Sequence, residues 1–250
     1  MAAHLDILEH KRRPEGIRSM RKRPDPTRPK RQTLTRERVL RAALALADER
    51  GIDALSMREL GRRLGVDAMS LYNHVENKDD LLDGIVDLVV GEIDLPAGED
   101  DWTSAMRTRA QSARRVFTRH PWASQLIDSR TSSGPERLRY FDWMIGTLRR
   151  AGFSIDEALH AYSALDSYVY GFARQQANVS GDDTGTPEAA KQLLAETPAP
   201  QFPHLAEVIT HYIQQGGYDP DADFDFGLAL ILDSLQRRLD RPPRAPSATL

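Results

Sequence analysis

The stretch that decides the fold is SMRELGRRLGVDAMSLYNHVENK, residues 56–78. Ser56 is followed three residues later by Glu59, a spacing typical of a capping box at the start of a helix. Gly65 follows the apolar residues of that helix, and glycine readily adopts the positive φ that ends a helix. Asp67 suits the N-cap of a second helix of about two turns, ending near residue 74. A helix, a glycine turn and a short helix make a helix-turn-helix, whose second helix enters the DNA major groove.

A plain helical hairpin is the alternative interpretation of this stretch. The second helix is too short to add much to a core, however, and its polar and aromatic residues favour a surface that contacts a partner. The side chains that suit phosphates, base edges or a thymine methyl group are Arg58, Met69, Ser70, Tyr72, Asn73 and Lys78. A partly structural role for Tyr72 and His74 stays open, whereas Asp67 is interpreted as a cap because a carboxylate repels phosphate.

The run LGVDAMSLYNHVENKDDLLDGI, residues 64–85, resembles the DNA-binding domain of the TetR family of transcriptional regulators. The matching features are Leu64-Gly65-Val66, Leu71-Tyr72, His74-Val75, Asn77-Lys78 and Leu81-Leu82. The resemblance implies an all-α fold, in which an N-terminal helix-turn-helix domain precedes a larger helical domain for ligand binding and dimerisation. It also implies that the operator DNA is lined by Arg58, Ala68, Met69, Ser70, Tyr72, Asn73, His74 and Lys78.

Composition restricts the function further. The 250 residues include no cysteine, which excludes disulfides, thiolate metal sites and cysteine nucleophiles. No apolar run approaches the ~20 residues of a membrane span, and the first residues lack the apolar core of a signal peptide. We therefore expect a cytoplasmic protein with no membrane partner.

The formal net charge of -3 is unevenly distributed. Residues 1–34 hold ten lysines and arginines against four acidic residues, whereas residues 91–250 hold sixteen against twenty-two. The basic segment contains four prolines and is predicted to be a disordered arm. Contact with DNA phosphates and simple solvation of this arm both stay open. The acidic remainder argues against non-specific wrapping of nucleic acid.

The predicted organisation has four parts: a basic arm (1–34), a helix-turn-helix domain (35–93), a helical body for ligand binding and dimerisation (94–241) and a disordered tail (242–250). The connecting helix, from residue 77 to about residue 93, carries two adjacent rows of apolar residues. We therefore expect it to pack against the helix-turn-helix domain on one side and the body on the other. The helix also carries four acidic residues, Asp79, Asp80, Asp83 and Asp87. We interpret them as a solvated face of the helix rather than as a metal site.

Two helices of the body have wide apolar surfaces. One begins at a second capping box, Ser154 with Glu157, and the other follows a cap at Asp221 or Asp223. Helices that are apolar nearly all round are buried on both sides, so we expect a four-helix dimer interface. Their sequences also resemble the body of the tetracycline-repressor branch of the family.

The family resemblance implies a small-molecule effector in the body. The candidate ligand-binding residues are Trp102, Phe117, Trp122, Phe141, Tyr162, Tyr168 and Gln175, although core packing is the alternative for any single aromatic residue. In the tetracycline-repressor branch a histidine and a glutamate help to hold magnesium. This sequence has Gln175 at the glutamate position and Val116 or Phe117 near the histidine position. We therefore expect an organic ligand and neither a metal nor another cofactor.

The leading hypothesis is a homodimeric repressor that a small organic ligand releases from a palindromic operator on double-stranded DNA. A ligand-independent DNA-binding regulator, or an activator with a structural body, is the alternative. An all-α enzyme is disfavoured, because no nucleophile–base pair, glycine-rich phosphate loop or metal set has usable spacing.

Overall fold

The structure, a computed structural model, describes residues 33–98, 101–127, 130, 134–179 and 186–240. The regular secondary structure of these ranges is entirely helical, so the predicted all-α class is confirmed. Within the same ranges, none of the helices combines the length and the apolar composition that crossing a bilayer requires. The predicted basic arm, except for its last two residues, and the predicted tail lie outside the described residues. The domain boundaries stay predictions.

The N-terminal part of the described chain contains four helices joined by short turns: α1 (Arg36–Arg50), α2 (Met57–Leu64), α3 (Ala68–Leu71) and α4 (Lys78–Gly91). The predicted N-caps are confirmed, since Ser56 Oγ accepts a hydrogen bond from the Glu59 N–H and Asp67 accepts one from the Met69 N–H. The Glu59 carboxylate binds Arg50 and Arg62, so the second half of the predicted capping box is replaced by ion pairs. Gly65 ends α2 in the left-handed conformation at φ 67°. Helix α3 is shorter than expected, because residues 72–74 continue as turns with hydrogen bonds between residues three apart.

Helices α2 and α3 approach each other closely at a glycine. A Cβ atom on Gly61 would lie 3.0 Å from the carbonyl oxygen of Val66 and 3.2 Å from the backbone nitrogen of Ala68. Both neighbours are backbone atoms, which cannot move aside as a flexible side chain can. The angle of the helix-turn-helix therefore depends on Gly61, for which we made no prediction.

The body contains seven further helices: α5 (Trp102–Arg119), α6 (Ala123–Leu126), α7 (Pro135–Ala151), α8 (Ile155–Val179), α9 (Pro187–Glu196), α10 (Pro203–Gln215) and α11 (Pro220–Leu239). Helices α5, α7 and α11 pack on α8, while α9 pairs with α10. The capping box of α8 is confirmed by reciprocal hydrogen bonds between Ser154 and Glu157. The predicted cap of α11 was wrong: Asp219, not Asp221 or Asp223, accepts the first hydrogen bonds of that helix.

Helix α4 packs against both the N-terminal helices and the body. Its Leu81 and Ile85 are fully buried, and Gly84 lies directly against Leu40 of α1. Further along α4, Gly91 lies against Glu136 of α7. One helix of fourteen residues thus contributes to the packing of both regions.

The cap of α5 gives a pH-dependent prediction. Asp101 accepts hydrogen bonds from the side chains and backbone of Ser104 and Thr103, which lower its pKa to about 2 from 3.8. A depressed carboxyl pKa stabilises the fold above the unfolded-state pKa, and that contribution is lost as the pH falls toward 2. Asp101→Ala should therefore lower the free energy of unfolding by about 1 kcal/mol at pH 7.

Urea unfolding at pH 7, 4 and 3 checks this expectation, because the difference between wild type and Asp101→Ala should shrink with falling pH. Asp101→Asn is the matched control: it retains a capping oxygen, so it should lose less stability and show little pH dependence. A difference that is constant with pH would contradict the assignment of this cap.

Candidate DNA-binding surface and ligand-binding core

The eight residues predicted to line DNA lie on and around α3. Ala68, Met69 and Ser70 belong to α3 itself, and the exposed Met69 side chain is 72% accessible. The turn after α3 carries the remaining aromatic and polar candidates, Tyr72, Asn73 and His74. Tyr72 is 45% exposed although aromatic. The surface thus presents an apolar, an aromatic and several hydrogen-bonding groups to solvent.

The two cationic candidates flank this surface. Arg58 lies in the first turn of α2 and Lys78 is the first residue of α4, and both are exposed. Neither forms an ion pair with a residue that the structure describes, whereas neighbouring arginines such as Arg62 and Arg63 bind glutamates. An exposed cation without a carboxylate partner can neutralise a phosphate at little cost.

A bidentate ion pair holds the end of the α3 turn. Arg36 of α1 donates to both carboxylate oxygens of Asp80 at 2.6 and 2.8 Å, and to the carbonyl oxygen of His74 at 3.0 Å. The hydrogen bond from Arg36 lowers the pKa of the Asp80 carboxyl. Asp80 also accepts the N–H of Glu76. Arg36 and Asp80 lie 44 residues apart, so no local sequence pattern indicates this ion pair.

Asp79 is the one exposed member of the four acidic residues of α4, so the solvated face that we expected is wrong for Asp80, Asp83 and Asp87. Asp79 and Asp83 both pair with Arg130 of the body. Asp87 is buried and accepts the backbone N–H of Arg137 at 2.9 Å, at the start of α7. Since the unsatisfied N–H groups of a helix terminus attract negative charge, Asp87 acts as a cap supplied by another helix. With the Asp80 ion pair, all four carboxylates join α4 to its neighbours.

A second junction lies between α1 and the loop that leads into α6. Asp48 of α1 accepts the indole N–H of Trp122 at 2.7 Å, and His120 Nδ1 lies 2.7 Å from the same carboxylate oxygen. The other ring nitrogen of His120 lies 3.2 Å from Glu92, just beyond α4, and Arg119 also binds Glu92. The body therefore contacts both α1 and the end of α4 through residues 119–122.

The core of the body contains a buried charged cluster. Arg109 of α5 is fully buried, and its Nη2 lies 2.9 Å from a carboxylate oxygen of Asp166 on α8. The same carboxylate accepts the hydroxyls of Tyr140 at 2.7 Å and Tyr170 at 3.0 Å. Burial raises the pKa of both tyrosines well above 10, so their hydroxyls remain donors at neutral pH. Its members come from α5, α7 and α8, so no local sequence pattern indicates the cluster.

The seven predicted ligand-binding residues are distributed over several parts of the body. Phe141 and Tyr162 form an edge-to-face pair with ring centroids 5.1 Å apart, beside the Asp166 cluster. Phe117 contacts that cluster through Tyr170. The other four lie elsewhere. The indole N–H groups of Trp102 and Trp122 donate hydrogen bonds to Gln236 and Asp48, respectively. The Tyr168 hydroxyl donates one to the carbonyl oxygen of Phe224, and Gln175 is exposed. Their role in ligand binding stays a prediction.

The fold and the surface around α3 define a helix-turn-helix DNA-binding protein with a helical body. Residues 39–85 match the family model described as "Bacterial regulatory proteins, tetR family". Residues 95–239 match "Tetracyclin repressor-like, C-terminal domain". The chain belongs to the TetR family of transcriptional regulators, which confirms the resemblance. Its relatives are named as regulators and repressors, so the chain is a regulator and not an enzyme.

Two named repressors illustrate the similarity. The HTH-type transcriptional repressor DrrR1 of Streptomyces coeruleorubidus is 33% identical over 223 residues, covering 84% of this chain and 80% of DrrR1. The class A tetracycline repressor from transposon 1721 of Escherichia coli is 32% identical, covering 80% of this chain and 89% of that protein. Among solved structures, Streptomyces coelicolor ActR in complex with actinorhodin has a TM-score of 0.71 and 30% identity, covering 84% of this chain and 100% of ActR.

The DNA-binding surface leads to a prediction that separates charge from base recognition. Lys78→Ala should reduce the slope of log affinity against log salt concentration by about 0.9 for each protomer bound, since each protomer loses one phosphate contact. Met69→Ala should leave that slope unchanged and weaken discrimination at one base pair, because an apolar side chain contributes no charge. Fluorescence anisotropy with labelled operator DNA at several salt concentrations measures both quantities.

Arg139→Ala is the control for Lys78→Ala, because Arg139 is an exposed arginine of the body that pairs with Glu136. It should leave both the affinity and the salt slope unchanged. An unchanged slope in Lys78→Ala would show that this residue does not contact a phosphate.

Proposed function

We propose that this protein is a cytoplasmic, homodimeric repressor that binds a near-palindromic DNA operator and leaves it when a small organic ligand enters the body. The observation that carries the proposal is the surface around α3, where Met69 and Tyr72 are exposed. Arg58 and Lys78, before and after them in the sequence, are exposed cations that form no ion pair with a residue in the described part of the chain. Apolar, aromatic and cationic groups on a helix-turn-helix suit one half-site of an operator.

The second protomer is supported by the exposed surface of α8 and α11. These helices pack antiparallel, since Arg238 near the end of α11 pairs with Glu157 near the start of α8. Phe226 and Leu230 of α11 are 68% and 55% exposed. On α8, a Cβ atom added to Gly171 would meet open space. Large exposed apolar side chains beside small residues suit the close approach of two identical helix pairs.

Release by a ligand is supported by the contacts between the body and the N-terminal helices. Asp87 of α4 caps α7, and Asp48 of α1 binds Trp122. A ligand that favours one arrangement of α5–α7 would therefore move α4 and α1. This movement would change the distance between the α3 helices of the two protomers, and with it the fit to the two half-sites of the operator. The complex of ActR with actinorhodin and the repressors among the relatives support a small-molecule effector and a repressor role.

Selection from random double-stranded DNA, followed by titration of the selected site, tests the proposed function. Wild type should select a near-palindrome whose half-sites lie about one helical turn apart. The double variant Tyr72→Ala with Lys78→Ala should lose specific binding, while Arg139→Ala should retain it. Failure of wild type to select any preferred sequence would overturn the proposal that it binds a near-palindromic operator. Selection of a site that no small molecule affects would favour the ligand-independent alternative.

The dimer has its own test. The double variant Phe226→Glu with Leu230→Glu should sediment as a monomer, because the proposed interface would bury two carboxylates without partners. Since both half-sites are needed for tight binding, its operator affinity should fall at least tenfold. Leu138→Glu is the control: Leu138 is 57% exposed but lies on α7. This variant should stay dimeric, and a dimeric double variant would exclude the proposed interface.

A further inference from the structure

His120 is a buried histidine whose two ring nitrogens both face carboxylates. Its side chain is 8% exposed, Nδ1 lies 2.7 Å from Oδ1 of Asp48 on α1, and Nε2 lies 3.2 Å from Oε2 of Glu92, just after α4. A neutral imidazole carries a proton on one nitrogen only, whereas an imidazolium can donate from both. The two distances therefore match the protonated ring, because a neutral ring would turn a lone pair toward a negatively charged oxygen.

The ring of His120 has little freedom to turn away from these carboxylates. The His120 N–H donates to the carbonyl oxygen of Val116, and the His120 carbonyl oxygen accepts the N–H of Ala123. The ring also packs against Trp122, with ring centroids 6.3 Å apart, and the Trp122 indole N–H donates to the same oxygen of Asp48. Deprotonation of the ring would therefore remove a hydrogen bond rather than redirect it.

The charges around His120 balance when its ring is protonated. Asp48 comes from α1, Glu92 follows α4, and Arg119 at the end of α5 donates to Glu92 at 2.6 Å. Burial raises the pKa of the Glu92 carboxyl, but hydrogen bonds from Arg119 and His120 lower it more, so this pKa lies below its ordinary value. Among the described residues that contact this site, two carboxylates thus face one guanidinium, and an imidazolium supplies the second positive charge.

We infer that the His120 bridge, formed by His120, Asp48 and Glu92, is a proton-dependent contact between the body and the DNA-binding helices. The imidazolium holds α1 and the end of α4 against the body, and loss of its proton releases one of the two carboxylates. Histidine is the side chain that ordinarily changes charge between pH 5 and 8. The inference goes beyond the proposed function, because the signal is a proton rather than an organic ligand, and only its effect on operator binding rests on that function.

Urea unfolding of wild type and His120→Gln at pH 6 and pH 8 tests the inference. The protonated ring makes one more hydrogen bond in the folded protein than the neutral ring, so its contribution to stability is present at pH 6 and is lost as the pH rises to 8. The increase in the unfolding equilibrium constant caused by His120→Gln should therefore be about tenfold larger at pH 6 than at pH 8. His204→Gln is the matched control, because the His204 side chain is 95% exposed, and it should change the constant little at either pH.

Glu92→Gln tests the bridge from the other side while it keeps the histidine. The introduced amide can donate to the lone pair of a neutral ring, so two hydrogen bonds no longer require a second ring proton. The stability of this variant should depend less on pH between 6 and 8 than that of wild type.

If His120→Gln does not fold, Glu92→Gln and the ring protons of wild type decide the question. Both ring N–H protons of His120 should give NMR signals that exchange slowly with water at pH 6, because both are buried donors. Those of exposed His204 should exchange too fast to be seen. A single slowly exchanging ring proton on His120 would overturn the inference, as would an effect of His120→Gln or Glu92→Gln on unfolding that is the same at pH 6 and pH 8.

Operator binding is measured in parallel by fluorescence anisotropy at the same two pH values. The ratio of the affinities at pH 6 and pH 8 should differ about fivefold or more between wild type and His120→Gln. His74 of the DNA-binding surface is present in both proteins, so its titration cancels from this comparison. Equal ratios would overturn the inferred effect of the bridge on the DNA-binding helices. Absence of operator binding at either pH would count against the proposed function alone, because the unfolding and NMR measurements need no DNA.

Discussion

The packing of α4 against two sets of helices is the constraint on which the other features of this protein depend. Gly84 must lie against Leu40 of α1, and Gly91 against α7, so the helix has little freedom to shift relative to one neighbour without disturbing the other. Apolar packing alone is non-directional. The carboxylate of Asp87 adds direction, because it must face the N–H groups at the start of α7. A movement of α7 thus reaches the DNA-binding helices through a short, tightly packed path.

Local features of the fold could be predicted from the sequence because their causes are local. The capping residues Ser56, Asp67 and Ser154 bond to backbone groups two or three residues away, so a short window contains all the information. The cap of α11 was misplaced because several aspartates occur near its start, and only the backbone conformation distinguishes Asp219 from the others. The end of α3 was misplaced because helical termini fray into turns.

The candidate site was predictable only where its residues are close in sequence. The residues proposed to contact DNA fall within one short stretch, so their grouping on and around α3 follows from the sequence, while their contact with DNA stays a prediction. The contacts that join the body to the N-terminal helices are distant in sequence. Asp48 contacts His120 and Trp122, which follow it by 72 and 74 positions, and Asp87 contacts Arg137, which follows it by 50 positions. The charge pattern of α4 suggested a solvated acidic face. The partners of these acidic residues are the start of another helix and a distant arginine, and a charge pattern does not show that such groups will contact α4.

The buried pair of Arg109 and Asp166 is a costly way to fill the centre of a helical body. Apolar residues of similar volume commonly stabilise a core as well or better, because two charges must be removed from water. The pair nevertheless has extensive support, since two tyrosine hydroxyls serve the carboxylate and a thioether contacts the guanidinium. The cluster thus joins α5, α7 and α8, because a shift of any one of them would leave a buried charge or hydroxyl without its partner. This cost of mispairing gives the three helices one preferred arrangement, which apolar packing alone would specify less strictly.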